Sequence, residues 1–127
     1  MTGWRHLPGA LCTVAPRAAD VVPGLFARNE RFCTLLRSGG ADIALVMVGA
    51  AGVGRISASF CDVRTNTGRD FGAGTFAPPL SCRKGDELGV FHLGSTVILV
   101  LGPGPWTGDA PSGGSPIRMG QAMFRAA

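Results

Sequence analysis

Apolar residues in this chain come in short runs and in alternation, with no sustained helical period. Ile43-Ala44-Leu45-Val46-Met47-Val48 and Val97-Ile98-Leu99-Val100-Leu101 are unbroken apolar runs. The first fits a strand buried on both faces, and Thr96–Leu101 reads as a strong buried strand. Ile56, Ala58 and Phe60 alternate with Arg55, Ser57 and Ser59, the pattern of a half-buried strand. Phe32–Leu36 reads as another strand, and Ser38-Gly39-Gly40 supplies a turn that joins it to Ile43–Val48 in a hairpin. Short strands bracket Gly89–Leu93, and a helical turn or two fits Arg17–Val22. The stretch 66–79 reads as a loop, Pro103–Pro116 as flexible chain, and Ile117–Phe124 as a last strand or short helix. The expected organisation is one domain: an irregular segment 1–24, a β core 25–101 and a flexible segment 102–127. The expected fold is mainly β, a small antiparallel sandwich or partly open barrel with few or no helices.

Composition agrees with that picture. The 127 residues suffice for one modest core. Twenty glycines and nine prolines favour turns and short elements over helices. Twelve basic side chains against eight acidic ones leave a net charge of +4, spread along the chain as a solvated basic surface. Such a surface also suits an anionic partner such as a phospholipid head group, because the arginine fork donates two parallel hydrogen bonds to phosphate or carboxylate. With 7% aromatic residues and no tyrosine, base stacking is poorly supplied, and no nucleic-acid partner is expected. Cys12, Cys33, Cys61 and Cys82 form no CxxC pair. With only two histidines, no metal site is expected. Reduced thiols in a cytosolic compartment are the expectation. No apolar run approaches the roughly 20 residues that span a bilayer, so membrane contact is expected to be peripheral.

Two glycine-containing segments bear on chemistry. Gly49-Ala50-Ala51-Gly52-Val53-Gly54 lacks the Lys-Ser/Thr of a phosphate loop and reads as small residues that let backbones pass closely. Leu93-Gly94-Ser95-Thr96 is more informative. It lies between the polar turn Lys84-Gly85-Asp86-Glu87 and the apolar run 97–101. Serine is a weak nucleophile until a base removes its proton, and the Ser95 hydroxyl is one residue from the Gly94 carbonyl. Glycine at the preceding position removes the side chain that would hinder a strained attack geometry.

These segments occur in a telling order. Leu25-Phe26-Ala27-Arg28-Asn29-Glu30-Arg31 comes first, then Val48-Gly49-Ala50 and Val53-Gly54-Arg55-Ile56. Lys84-Gly85-Asp86-Glu87-Leu88-Gly89 and Phe91-His92-Leu93-Gly94-Ser95-Thr96-Val97 follow. Together they resemble the C-terminal half of phosphatidylserine decarboxylases, over about Trp4 to Leu101, with a fainter echo at Met119-Gly120-Gln121. The resemblance implies a biotinyl/lipoyl-carrier-like β arrangement. It also implies self-cleavage between Gly94 and Ser95, with Ser95 converted into a covalent pyruvoyl cofactor. That group serves as the electron sink that pyridoxal phosphate supplies elsewhere. The implied reaction is decarboxylation of phosphatidylserine to phosphatidylethanolamine, on the cytoplasmic side of the cell membrane as a peripheral protein.

The resemblance carries over site roles as well. His6-Leu7-Pro8 matches the end of the family's His-x-x-His-x-Pro motif, whose second histidine is the base paired with the cleavage serine. The role this implies for His6 is that base, since an imidazole can both remove and deliver a proton. The motif's first histidine would fall at Gly3 and is missing. His92, three residues before Ser95, is the competing base. Thr96 is a candidate oxyanion donor by proximity. Glu87 matches an acidic position of the Lys-Gly-x-Glu turn. Arg28 to Arg31 match a block read either as a structural polar network or as an arginine holding the lipid's phosphate or carboxylate.

The family's N-terminal half, with its membrane-associating helices and the aspartate that orients the catalytic histidine, has no match here. The chain therefore resembles a truncated decarboxylase. Either it acts as a decarboxylase, alone or with the missing half, or it is a non-catalytic remnant that keeps the β core. Apolar sheet faces left exposed by the truncation would be covered by a homodimer, a membrane surface or the missing half.

Overall fold

The computed structural model describes all residues except Val53, Gly54, Ser95, Asp109 and Ala127. Its centre is a five-stranded antiparallel sheet of order β5-β1-β2-β3-β7. The strands are β1 (Gly3–Leu7), β2 (Arg31–Ser38), β3 (Ala41–Val48), β5 (Ala73–Thr75) and β7 (Val97–Leu101). Two short ribbons accompany it. One pairs β4 (Ile56–Ala58) with β6 (Gly89–Phe91), and the other pairs β8 (Trp106–Thr107) with β9 (Arg125–Ala126). Two short helices, α1 (Pro16–Val21) and α2 (Leu25–Arg28), precede β2. The chain is thus mainly β and antiparallel, as its pattern implies.

The expected hairpin is formed by β2 and β3. Ser38 pairs with Ala41 across a two-residue turn in which Gly39 and Gly40 both have positive φ. Such a turn matches the right-handed twist of the strands it joins, and glycine adopts it without steric cost. The helical turn expected near Arg17–Val22 is α1, with Pro16 in its first turn. Segment 1–24, read as irregular, contributes strand β1, an interior strand of the sheet between β5 and β2. Segment 117–124, read as a strand or short helix, is irregular, and β9 begins only at Arg125.

Register defines the two faces. His6, Phe32, Met47 and Val97 form one cross-strand row. On that face Phe32 and Met47 pack with Ile56 and Val63 in the buried core, with Trp4, Leu45, Phe60 and Phe91 against them. The alternating segment from Arg55 therefore covers the sheet with Ile56, while Ser57 points away.

The opposite face carries the rows Cys33–Val46–Ile98 and Leu35–Ala44–Val100. None of these six residues is buried. β7, whose sequence reads as a strong buried strand, lies at the sheet edge. Val97, Leu99 and Val100 are exposed there at 52%, 39% and 51%. No helix of the described residues is long and apolar enough to cross a membrane.

Phe32 is fully buried at the centre of the core. Phe32→Ala should lower stability by about 3–5 kcal/mol in urea unfolding. Val21→Ala, at a 75% exposed position, should change it by less than about 0.5 kcal/mol. Equal effects would show that the core lies elsewhere.

Candidate functional site

The Glu30 carboxylate is the centre of a buried polar cluster. Glu30 directly precedes β2, and its side chain accepts hydrogen bonds from the Asn66 amide at 3.1 and 3.0 Å. Its Oε1 also lies 3.1 Å from His6 Nε2. The Phe71 amide donates to His6 Nδ1 at 3.2 Å. That contact makes Nδ1 an acceptor, so the neutral ring carries its proton on Nε2 and donates it to Glu30. Asp70 Oδ1 is 3.5 Å from Nδ1, and the Phe71 ring packs edge-on against the imidazole. In this arrangement both ring nitrogens of His6 are engaged, and its side chain is fully buried.

Asn29 extends the cluster through the backbone. Its Oδ1 accepts from the Cys12 amide, and its Nδ2 donates to the carbonyls of Cys12 and Gly49. The Arg31 guanidinium donates to the Asn29 carbonyl at 3.1 Å. Asn29, Glu30 and Arg31 thus form a structural network, whereas Arg28 is exposed in the last turn of α2.

The Gly94–Thr96 segment lies elsewhere. Ser95, the expected nucleophile, is outside the described residues, and its neighbours define the surroundings. Gly94 is exposed, with φ +67°. A β-carbon is disfavoured in this left-handed region. The Thr96 carbonyl accepts from the Val48 amide at 2.9 Å, extending the β3–β7 ladder by one bond. Gly94, Val97, Glu87, Phe91 and Met119 are among the residues lining an open groove of about 800 Å³. His6 shares its row with Val97 but is three strands away, about 14 Å at ordinary strand spacing.

The β4–β6 ribbon lies nearer in sequence to the Gly94 segment. Ser57 Oγ lies 2.8 Å from His92 Nε2, and Ser59 donates to Glu87 Oε1 at 2.7 Å. The His92 amide donates to the Arg55 carbonyl, which fixes the ring's backbone two residues before Gly94. Thus the structure joins His6 to Glu30, His92 to Ser57, and Glu87 to Ser59. Sequence reasoning missed Ser57, Ser59, Asn66, Asp70 and Phe71. The polar positions of the β4 alternation were the available signal for the two serines, and nothing local marked the other three. Among the described residues no group of His, Cys, Asp and Glu could hold a metal ion.

The thiols respond to the same surroundings. Burial pushes Cys33 above the usual thiol range, partly opposed by the guanidinium groups of Arg31 and Arg5. Burial also pushes Cys61 up.

A mainly β chain with a glycine-serine junction at the head of an edge strand is the architecture of the site. The profile of the phosphatidylserine decarboxylase family matches residues 1–125. The chain belongs to the phosphatidylserine decarboxylase family. It is similar to the phosphatidylserine decarboxylase proenzyme of Bordetella petrii, with 41% identity over 93% of this chain and 43% of that protein. The proenzyme of Halorhodospira halophila is 42% identical over 95% of this chain and 42% of its own length. That of Anaeromyxobacter sp. is 40% identical, covering all of this chain and 46% of its own length. The chain therefore spans less than half the length of these relatives. No solved structure matches it.

Removing the Glu30 carboxylate leaves the His6 Nε2–H without its acceptor and takes from the Asn66 amide its bonds to Glu30. Glu30→Ala should cost about 1–3 kcal/mol in chemical unfolding. Nitrogen-15 spectra of neutral His6 should show the proton on Nε2. A ring protonated on Nδ1 would contradict the hydrogen-bond assignment.

Proposed function

We propose that this chain is the self-processing part of a pyruvoyl-dependent phosphatidylserine decarboxylase, with Gly94-Ser95 as the bond that opens. The observation that carries the reading is the setting of the family's Leu-Gly-Ser-Thr sequence. Gly94 is exposed in a left-handed conformation on an open groove, while the Thr96 carbonyl is anchored to β3. A fixed following residue and an unhindered preceding glycine favour attack on the intervening peptide bond.

The chemistry balances with one water. The Ser95 hydroxyl loses its proton to a base and attacks the Gly94 carbonyl carbon, and the acyl group moves from nitrogen to oxygen. Loss of the Ser95 α-proton expels the Gly94 carboxylate and leaves dehydroalanine. Addition of water then releases ammonia and leaves a pyruvoyl N-terminus. The products are residues 1–94 with a free carboxylate and a chain beginning at position 95.

The surroundings fit such a group, since Gly94 and Val97 line a groove large enough for a small head group. Once formed, the pyruvoyl supplies an electron sink for loss of carbon dioxide from an α-amino acid. Glu87 lies on the groove wall, with its Oε1 accepting a hydrogen bond from Ser59. The chain's net charge of +4 favours approach to an anionic phospholipid surface. The proposed setting is the cytoplasmic face of the cell membrane, with phosphatidylserine as substrate and phosphatidylethanolamine as product.

Two histidines compete as the base. The family motif favours His6, whose ring must first give up its bond to Glu30 or to the Phe71 amide. Exposure and nearness in sequence to Ser95 favour His92, whose Nε2 must give up its 2.8 Å contact with Ser57. A second functional reading, a non-catalytic remnant, is favoured by the placement of His6, whose two ring nitrogens are both engaged three strands from Val97.

Denaturing intact-mass measurement after prolonged incubation separates these readings. Self-processing predicts two fragments meeting at Gly94/Ser95, lost in Ser95→Ala. A single uncut species would support the remnant. If His6 is the base, His6→Ala should slow cleavage at least about 100-fold, as expected for loss of a general base, with His92→Ala near wild type. The opposite ranking would assign the base to His92. Formation of ethanolamine lipid then tests turnover separately from processing.

A further inference from the structure

We propose that the groove beside Gly94 continues along the sheet as a track for one acyl chain of the phospholipid, with the phosphate held at Lys84. This rests on the reading of the chain as acting on phosphatidylserine, and it concerns the tail of that lipid and not the bond that opens. Two cavities meet end to end on the face that carries Phe32 and Met47. The first, of about 800 Å³, is lined by Gly94, Val97, Met47 and Leu45 among others. The second, of about 690 Å³, is floored by Leu99, Leu101 and Ile43. Leu45 pairs with Leu99 across the β3–β7 ladder, so one cross-strand pair contributes a side chain to each cavity. Lys84 and Gly120 line the second cavity, and their chain neighbours Gly85 and Met119 line the first.

The floor of this track is hydrocarbon. Register sets Met47, Leu45 and Ile43 of β3 beside Val97, Leu99 and Leu101 of β7 on one face. From Val97 to Leu101 the floor runs about 14 Å at ordinary strand rise. A peptide laid on it would give up hydrogen bonds to water and find no side-chain partner on the floor, a cost that a hydrocarbon chain does not carry. The facing wall is the irregular segment after Arg118, which brings Ala122, Met123 and Phe124 to the second cavity. Met47 and Met119 line the first cavity, and such unbranched thioethers adapt to a ligand without a fixed shape. Trp106 stands at the Leu101 end, where its indole donates to the Gly102 carbonyl at 2.8 Å.

Charge fixes the direction of the ligand. Lys84 lies in a tight turn in which the Arg83 amide donates to Asp86 Oδ2 at 2.7 Å and the Asp86 amide donates to the Arg83 carbonyl. Gly85 takes φ +92° there. The turn sets Lys84 where the two cavities meet. Among the described residues no carboxylate forms an ion pair with Lys84. An unmatched ammonium between a head-group cavity and a hydrocarbon track follows the order of a phospholipid: amino-acid head, phosphate, acyl chain. Lysine binds phosphate as a point charge. One track takes one chain, and the second chain stays in the lipid layer.

The test uses the full chain carrying Ser95→Ala, so that neither cleavage nor turnover enters the measurement. Trp4→Phe leaves Trp106 as its single indole. The probe is lysophosphatidylserine below its micellar concentration, brominated at the acyl terminus as a contact quencher. The expected result is saturable quenching of Trp106, with affinity rising about fourfold per added methylene and levelling off once the chain spans the track. Leu99→Glu on the floor and the exposed Ala122→Glu on the facing segment should each weaken binding at least about tenfold with unchanged circular dichroism. Lys84→Glu should weaken the lysolipid about tenfold and leave a brominated alcohol of the same length unaffected. Quenching that none of these substitutions alters, or affinity that climbs with chain length without levelling, would overturn the track. So would glycerophosphoserine, which has no acyl chain, binding as tightly as the lysolipid. Cleavage of the chain with Ser95 intact is read separately. Fragments without quenching overturn the track alone, whereas quenching by a chain that stays uncut supports the track and fails the processing reading.

Discussion

Glu30 ties the β1–β2 ladder to stretches of chain outside it. Its oxygens bond His6 of β1 and the Asn66 amide of the loop after β4. Its own amide donates to the Ala10 carbonyl, and its carbonyl accepts from the Gly49 amide. Four separate stretches therefore meet at one residue that is 7% exposed. A buried carboxylate is tolerated only when such donors replace its lost water. The arrangement fixes where β1 enters the sheet, and that fixes the row running from His6 to Val97.

That row divides the molecule into two parts. On the His6 side the imidazole is part of the packing, held between a carboxylate and a backbone amide. On the Val97 side the ladder ends in an exposed glycine and an open groove. Any chemistry linking the two sides must either free His6 and bring it across the sheet or use a group already near Gly94. His92, tethered through Ser57, is such a group. The proton route is therefore a question of strand order as much as of residue type.

Much of the fold was legible in the chain because its cause is local. The Gly39-Gly40 turn, the β2–β3 hairpin, the α1 turn and the buried Ile56 of the alternating segment follow from neighbours in sequence. β1 was missed because Trp4 and His6 are flanked by arginine and soon followed by Pro8, leaving no apolar run. Its place depends on pairing with β2, about 30 residues away (Trp4 with Thr34). The Glu30–His6 and Ser57–His92 contacts span 24 and 35 residues, so no spacing rule marks them. β7 was legible as a strand but not as an edge, because composition reports the burial a strand suits and not the neighbours it has. The glycine-serine junction carried the family signal and stood out for that reason.

The β3–β7 ladder has a bearing on what a break at Gly94 would do. Met47 to Ile43 pair with Val97 to Leu101, and the Val48 amide holds the Thr96 carbonyl. All of these bonds lie beyond the junction. A chain opened there keeps its shorter piece as a non-covalent strand of the longer one. Connectivity and shape are thus uncoupled at this point. The peptide bond can be lost as a link while β3 continues to present the new terminus to the same groove.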